Sequence, residues 1–219
     1  MFKRLLLATV LATATGVVAV SHAQAAPIVQ LMVGSTLITD NGTGDINPVG
    51  GAIAYTASSG PFSFTLNSGV ANSLPYLDLA SQDVSSTGVG SLVIKFTQTG
   101  LTSPSALTNY LTMFSGNISG GSATVQLQSY YDASNTAFGT ATSLGNLSNS
   151  NSGFFLSSTN AAGGSALFSL TEVLTVTASG AGRNFSLDAS VSNVPEPMSV
   201  ALLSTGLIGL GALRRKRAG

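Results

Sequence analysis

Apolar and polar residues alternate along most of this chain, and a period of two restricts what it can fold into. In the segment 62–67, Phe62, Phe64 and Leu66 are separated by single polar residues. The same alternation recurs in the segments 92–97, 124–128, 168–177 and 185–192. Successive side chains of a strand point to opposite faces, so each segment is predicted to be a strand with one buried face and one solvated face.

Clusters of Gly, Asn, Asp, Ser and Pro separate these segments, and such residues tolerate or preset the backbone angles of turns. The clusters lie at 40–45, 58–61, 86–88, 120–122, 149–153 and 163–164. Strands and turns that follow one another at short intervals predict an all-β body, an antiparallel β-sandwich of the jelly-roll kind. The segment 106–114 is the one place where a short helix competes with a strand.

The charged residues are unevenly distributed, and this excludes two classes of partner. Outside the terminal segments the only cations are Lys95 and Arg183, whereas all eight Asp and Glu residues lie between positions 40 and 196. Residues 26–197 therefore carry about six net negative charges. Two isolated cations cannot form the basic surface that nucleic acid or anionic lipid headgroups require. The chain contains no cysteine, so no disulfide supports the fold.

The N-terminus has the three parts of a secretory signal peptide. Lys3 and Arg4 supply the positive region, and 5–20 is an uncharged, mostly apolar stretch. Ala23 and Ala25 place small residues at the two positions that a signal peptidase reads. The pattern predicts removal of the first 25 residues, with the Sec translocon and signal peptidase as partners.

The C-terminus holds a second apolar segment. Residues 198–213 contain no charge and would span about 24 Å as a helix, close to the thickness of a bilayer core. Cations beside such a span favour the cytoplasmic side, which places the body outside. The motif before the segment and the cationic stop after it consist of Val194, Pro195, Glu196 and Pro197, and of Arg214, Arg215, Lys216 and Arg217.

In their order these C-terminal elements resemble the PEP-CTERM sorting signal of exported proteins in Gram-negative bacteria. The resemblance implies processing by an exosortase, a membrane transpeptidase or protease that acts at the Pro-Glu-Pro motif. It also implies a transient stay in the inner membrane, followed by the cell surface or the extracellular space. The expected organisation is a signal peptide (1–25), a β-sandwich body (26–193) and a sorting signal (194–219), in which 194–197 is the motif, 198–213 the membrane helix and 214–217 the basic tail.

Little catalytic chemistry remains for the body. His22 is the only histidine and lies in the signal peptide, so nucleophilic systems and zinc sites built on His or Cys are excluded. Paired carboxylates hydrolyse glycosides without histidine, and the candidates are Asp78 with Asp83, or Glu172 with another acid. Glu172 lies on an otherwise apolar strand face. The favoured interpretation is therefore structural, as a strand-edge or bulge residue, or a buried acid paired with Arg183.

An Asx-rich loop offers the oxygen ligands that Ca²⁺ prefers. Its candidate ligands are Asp40, Asn41 and Asp45, whose spacing does not match an EF-hand. Asp-Asn-Gly is also a common turn sequence, and an ordinary turn is the favoured interpretation. No cofactor is expected on this basis, with calcium as the alternative.

Three tyrosines are candidates for stacking on sugar rings: Tyr110, Tyr130 and Tyr131. Adjacent tyrosines on a strand point to opposite faces, so at most one of Tyr130 and Tyr131 faces solvent. Half-buried strand residues are the favoured interpretation.

These observations lead to one main hypothesis and two alternatives. The main hypothesis is a non-enzymatic structural or adhesive protein of the cell surface or the extracellular matrix, as in biofilms. The first alternative is a secreted module that binds an exopolysaccharide, and the second is an acid-pair glycoside hydrolase.

Overall fold

A computed structural model describes residues 27–70, 76–102, 107–163 and 165–194. Within these residues every regular element is a β-strand. The strands are β1 (Val29–Val33), β2 (Thr36–Thr39), β3 (Ala52–Ser59), β4 (Phe62–Val70), β5 (Tyr76–Ser86), β6 (Val89–Leu101), β7 (Thr108–Ser119), β8 (Ala123–Asp132), β9 (Thr142–Asn149), β10 (Gly153–Ala162), β11 (Phe168–Ser179) and β12 (Arg183–Val194).

The strands form two antiparallel sheets of six. Sheet A has the order β2-β1-β6-β11-β8-β9, and sheet B has the order β10-β7-β12-β5-β4-β3. From β5 onward the chain changes sheet at every connection except β8 to β9. Each sheet thereby receives four adjacent strands, β6-β11-β8-β9 and β10-β7-β12-β5, in the strand order of a jelly roll. The remaining pairs, β1–β2 and β3–β4, widen sheets A and B respectively. The predicted antiparallel β-sandwich is confirmed.

One apolar core fills the space between the sheets, because the inward residues of both share a single cluster of buried side chains. At one point the core is aromatic. The ring of Tyr110 from sheet B lies 6.0 Å from Tyr131 and 6.4 Å from Phe168 of sheet A. Tyr131 and Phe168 stack with their centroids 4.7 Å apart. Alternation along β7, β8 and β11 brings these side chains to one layer.

The helix considered for 106–114 is wrong for the residues that the structure describes. Residues 108–114 belong to β7, which pairs with β12 on one side and β10 on the other. Tyr110, Thr112 and Phe114 all point inward and are fully buried. The secondary structure of so short a segment is determined by pairing with its two neighbouring strands rather than by its own propensity.

A bulge interrupts β5 and determines which of its side chains face outward. Leu187 pairs with Gln82 and Ala189 with Leu79, so two residues of β5 oppose Asp188 alone. The Gln82 amide is buried and donates to the carbonyls of Asn67 (2.5 Å) and Ala80 (2.8 Å). Gln82 therefore provides partners for carbonyl groups at the place where the β4–β5 ladder shifts register.

The last strand lies at the centre of sheet B, between β5 and β7, and ends at Val194. No helix within the described residues is long and apolar enough to cross a membrane. The predicted signal peptide and the segments 195–197, 198–213 and 214–217 lie outside the described residues.

Candidate functional site

A groove of about 540 Å³ crosses the outer face of sheet B. It is lined from five adjacent strands, β3, β4, β5, β12 and β7, by short polar side chains that alternation turns away from the core. They include Thr56, Thr65, Asp83, Ser85, Asn117 and Ser186. We call this feature the hydroxyl groove.

Cross-strand pairing arranges the hydroxyl groups of the groove in rows. The hydroxyls of Thr56 and Thr65 lie 3.3 Å apart, with Thr56 donating, and those of Ser58 and Ser63 lie 3.0 Å apart. The Ser85 hydroxyl donates to the carbonyl of Ser63 at 3.4 Å. Each hydroxyl keeps further hydrogen-bonding capacity when it makes one such bond, so the floor of the groove is able to bind a polar ligand.

Asp83 is the one charged residue among those that line the groove. It is exposed and lies in register between Thr65 of β4 and Ser186 of β12. Its carboxylate is thus placed between two hydroxyl side chains near the middle of the five-strand surface.

The structure does not bring Asp78 and Asp83 together as an acid pair. Asp83 is opposite Ser186 and Asp78 opposite Ser190, four positions along β12, or about 13 Å at strand rise. The carboxyl groups of glycosidases are about 5–9.5 Å apart. This pair therefore does not match the geometry of either glycosidase class.

Asp78 instead has a neighbour that sequence reasoning missed, Asp188. Burial raises the pKa of the half-buried Asp78 carboxyl, a hydrogen bond with Tyr76 lowers it, and the charge of Asp188 raises it again. The same surroundings, with burial as the largest cause, raise the pKa of Tyr76 to about 12. None of these three residues is among those that line the hydroxyl groove. Asp188 alternates with apolar residues in the same way as Ser186 and Ser190. This pattern predicts that Asp188 faces outward, but it does not predict which residue of β5 lies beside it.

Glu172 is buried between the two sheets. The expectation of a buried acid is therefore correct, but the expected pairing with Arg183 is wrong. Its exposure is 0 %, and neither carboxyl oxygen has a hydrogen-bond partner in the described part of the chain. Burial raises its pKa well above the ordinary value, and the charges of Asp78 and Asp188 add to this. Arg183 lies elsewhere, at the β11–β12 turn, where its guanidinium donates to the carbonyls of Gly120, Ser122 and Ala181.

The tyrosines do not provide a stacking platform. Tyr110 and Tyr131 are fully buried core residues, and Tyr130 is half-buried on the opposite face of β8. The prediction that at most one of the adjacent pair faces solvent is confirmed.

The comparisons with known proteins do not identify a family. No protein-family model and no curated protein matches the chain. Among solved structures, the enzymatically active domain of tailspike protein 4 of bacteriophage CBA120 is similar at 15% identity and a TM-score of 0.38, over 71% of this chain and 21% of that one. An isomalto-dextranase of Arthrobacter globiformis T6 complexed with panose is similar at 15% identity and a TM-score of 0.28, over 64% and 23%. The chain spans less than a quarter of either structure, and scores this low transfer neither function nor site residues.

The Asx-rich loop directs its carboxylates at its own backbone. The Asp45 carboxylate accepts hydrogen bonds from the backbone N–H groups of Asn41 (2.9 Å), Asn47 (2.9 Å) and Ala54 (3.1 Å). The Asp40 carboxylate accepts from Gly51 N–H at 2.8 Å and from the Asn41 amide at 3.1 Å. Among the described residues no three acidic or histidine side chains are grouped as metal ligands would be. These contacts support the turn interpretation.

Asp45→Ala is expected to lower the free energy of unfolding by about 0.5–2 kcal/mol, the range typical of side-chain oxygens that cap backbone N–H groups. Asp45→Asn should cost less, because Oδ1 still accepts from Asn47 and Ala54 and only the bond from Asn41 to Oδ2 is lost. Urea unfolding measures both. We expect millimolar CaCl₂ to leave the wild-type midpoint unchanged, and a calcium-dependent increase that Asp45→Ala abolishes would contradict the turn interpretation.

Proposed function

We propose that the chain is an exported, non-catalytic structural or adhesive protein that its C-terminal segment sorts to the cell surface or the extracellular matrix. The observation that carries the proposal is the path of β12. This strand occupies the centre of sheet B and ends at Val194, directly before Pro195, Glu196 and Pro197. Val194 pairs with Asn109 of β7, so the residue directly before Pro195 lies at a defined point on the body.

The arrangement of the carboxylates supports a non-catalytic body. Glu172 has no access to solvent, Asp45 is engaged by backbone N–H groups, and Asp83 is the one acid of the hydroxyl groove. Asp78 and Asp188 are neighbours, but neither lines the groove. Acid-pair hydrolysis requires two carboxyl groups on either side of a bound glycosidic bond. The glycosidase alternative is less well supported because the groove supplies one.

The C-terminal mass of the mature protein from its native host tests the proposal. We expect a chain that ends at or next to residues 195–197, without the peptide that contains Leu213 and Arg214. The double variant Pro195→Ala/Pro197→Ala should retain that peptide and stay in the membrane fraction, because alanine restores the backbone donor and the helical freedom that proline removes.

Pro48→Ala is the matched control, since Pro48 is an exposed proline in a loop of the body. It should be processed as the wild type is. A wild-type protein that keeps Leu213 and Arg214 in its functional pool would overturn the sorting proposal and leave a membrane-anchored domain.

A further inference from the structure

The shape of the hydroxyl groove fits an extended ligand. It crosses five adjacent strands, and at about 4.8 Å per strand it is about 19 Å long, enough for several consecutive sugar rings. The groove runs across the strands rather than along one edge, so a chain lying in it meets a new row of side chains at every strand. Four of its five strands, β7, β12, β5 and β4, pair on both sides within the sheet, and β3 forms the edge at one end of the groove, so the surface is largely preformed.

The chemistry of the groove fits an uncharged, hydroxyl-rich ligand. Its outward side chains are hydroxyls and amides with the single carboxylate of Asp83, whereas Phe64, Val84 and Phe185 turn their side chains into the core. Neither of the described cations, Lys95 and Arg183, lines it. Carboxylates, sulfates and phosphates would find no positive partner there, while an apolar ligand would cover hydroxyl groups without replacing their hydrogen bonds.

Asp83 supplies the strongest acceptor. A carboxylate that accepts from hydroxyl groups makes hydrogen bonds roughly twice as strong as neutral ones, and its two oxygens can accept from neighbouring hydroxyls of one sugar. Thr65 and Ser186 lie on either side of it in register and are able to donate or accept along the same ring.

We propose that the hydroxyl groove binds a linear, uncharged polysaccharide, with Asp83 as its central acceptor. The inference rests on the proposed extracellular function and names the partner of that adhesive body. Without aromatic platforms each site binds weakly, and attachment to a matrix comes from many copies along one polymer.

The test measures binding of the mature protein, as its host releases it, to immobilised linear glucan, mannan, galactan and xylan hexasaccharides, with alginate as the acidic comparison. We expect binding to at least one neutral oligosaccharide and none to alginate. Asp83→Ala should raise the dissociation constant at least tenfold. Thr65→Lys should raise the dissociation constant as much, because the long side chain would cross the groove and pair with the Asp83 carboxylate. Thr65→Ser keeps the hydroxyl and should retain binding.

Thr177→Lys is the matched control. Thr177 is an exposed strand threonine on the outer face of sheet A, with a cross-strand hydroxyl contact of 3.3 Å to Ser91 that mirrors that of Thr65. It lies at a smaller depression of about 370 Å³, so it also tests whether that surface is used instead. We expect a change of less than twofold, at a melting temperature close to that of Thr65→Lys.

Three results would overturn the inference: no binding to any of the four neutral oligosaccharides, binding to alginate alone, or equal loss in Thr65→Lys and Thr177→Lys. The two proposals fail separately. Correct C-terminal processing without neutral glycan binding overturns the groove assignment alone, and groove-dependent binding by a protein that keeps its C-terminal peptide overturns the sorting proposal alone.

Discussion

Replacing Glu172 with leucine is expected to raise the free energy of unfolding by about 1–3 kcal/mol near neutral pH, the cost typical of a buried polar group without a partner. Glu172 is fully buried on β11, beside Leu170 and Leu174, and both of its carboxyl oxygens lack partners among the described residues. Leucine has a similar size and completes the apolar face. For a protein of this length the gain corresponds to about 2–4 °C in melting temperature per kcal/mol.

The same residue gives stability a definite pH dependence. The folded-state pKa of Glu172 is raised, whereas in the unfolded chain the carboxyl loses its proton near its ordinary pKa of 4.5. Between these two values the unfolded state binds fewer protons than the folded state, so wild-type stability falls as pH rises. Below that window the carboxyl is protonated in both states and the penalty of ionisation disappears.

Urea unfolding at several pH values from 5 to 8.5 measures this effect in wild type and Glu172→Leu. The wild-type curve should decline more steeply, so the difference between the two should widen with pH. The raised pKa of Asp78 adds a decline of the same sign to both proteins and largely cancels in the difference. Glu172→Gln serves as the control that keeps an unpaired polar group but cannot ionise. Its curve should decline with pH as shallowly as that of Glu172→Leu, and it should keep part of the penalty. Parallel curves for wild type and Glu172→Leu would refute this account.

The position of Glu172 shows how far sequence reasoning reaches. Its neighbours Leu170 and Leu174 correctly predict an inward face, since alternation is a local property of one strand. Its partner is a non-local property. Arg183 lies eleven positions further along the chain, but the β11–β12 turn places its guanidinium against the β7–β8 loop at Gly120 and Ser122. A pairing inferred from charge alone could not anticipate that geometry.

The acids of β5 illustrate a second limit. In an unbroken strand, residues five apart point to opposite faces, so Asp78 and Asp83 would be separated by the sheet. The bulge opposite Asp188 adds one residue and returns both to the outer face, yet it leaves them four partner positions apart on β12. Sequence spacing therefore misses both the shared face and the true neighbour, Asp188.

The hydroxyl groove was not predictable from the sequence for a related reason. Thr56 and Thr65 are close along the chain, whereas Asn117 and Ser186 come from strands that reach the same surface only through the jelly-roll order of sheet B. Exposed serines and threonines are ordinary on the wet face of a strand. Their convergence around a lone carboxylate is visible only after the five strands are aligned.

Phe168→Ala is expected to lower the free energy of unfolding by about 3–5 kcal/mol, the usual cost of emptying a buried aromatic site. Phe168 is fully buried and stacks on Tyr131 at 4.7 Å, with Tyr110 of the other sheet 6.4 Å away. Its ring therefore joins sheet A to sheet B at one end of the core. The chain has no disulfide to limit the loss, because it contains no cysteine.

Phe155→Ala is the matched control for this change, because Phe155 is a strand phenylalanine that is 68% exposed on edge strand β10. Its removal should alter the free energy of unfolding by no more than about 0.5 kcal/mol, as is usual for surface positions. Thermal and urea unfolding of the two variants separate the effect of burial from the effect of losing a phenylalanine ring. Equal destabilisation would mean that the Phe155 ring is covered in solution and that β10 carries an interface, whereas the expected contrast supports a core closed by Phe168 and the two tyrosines that join the sheets.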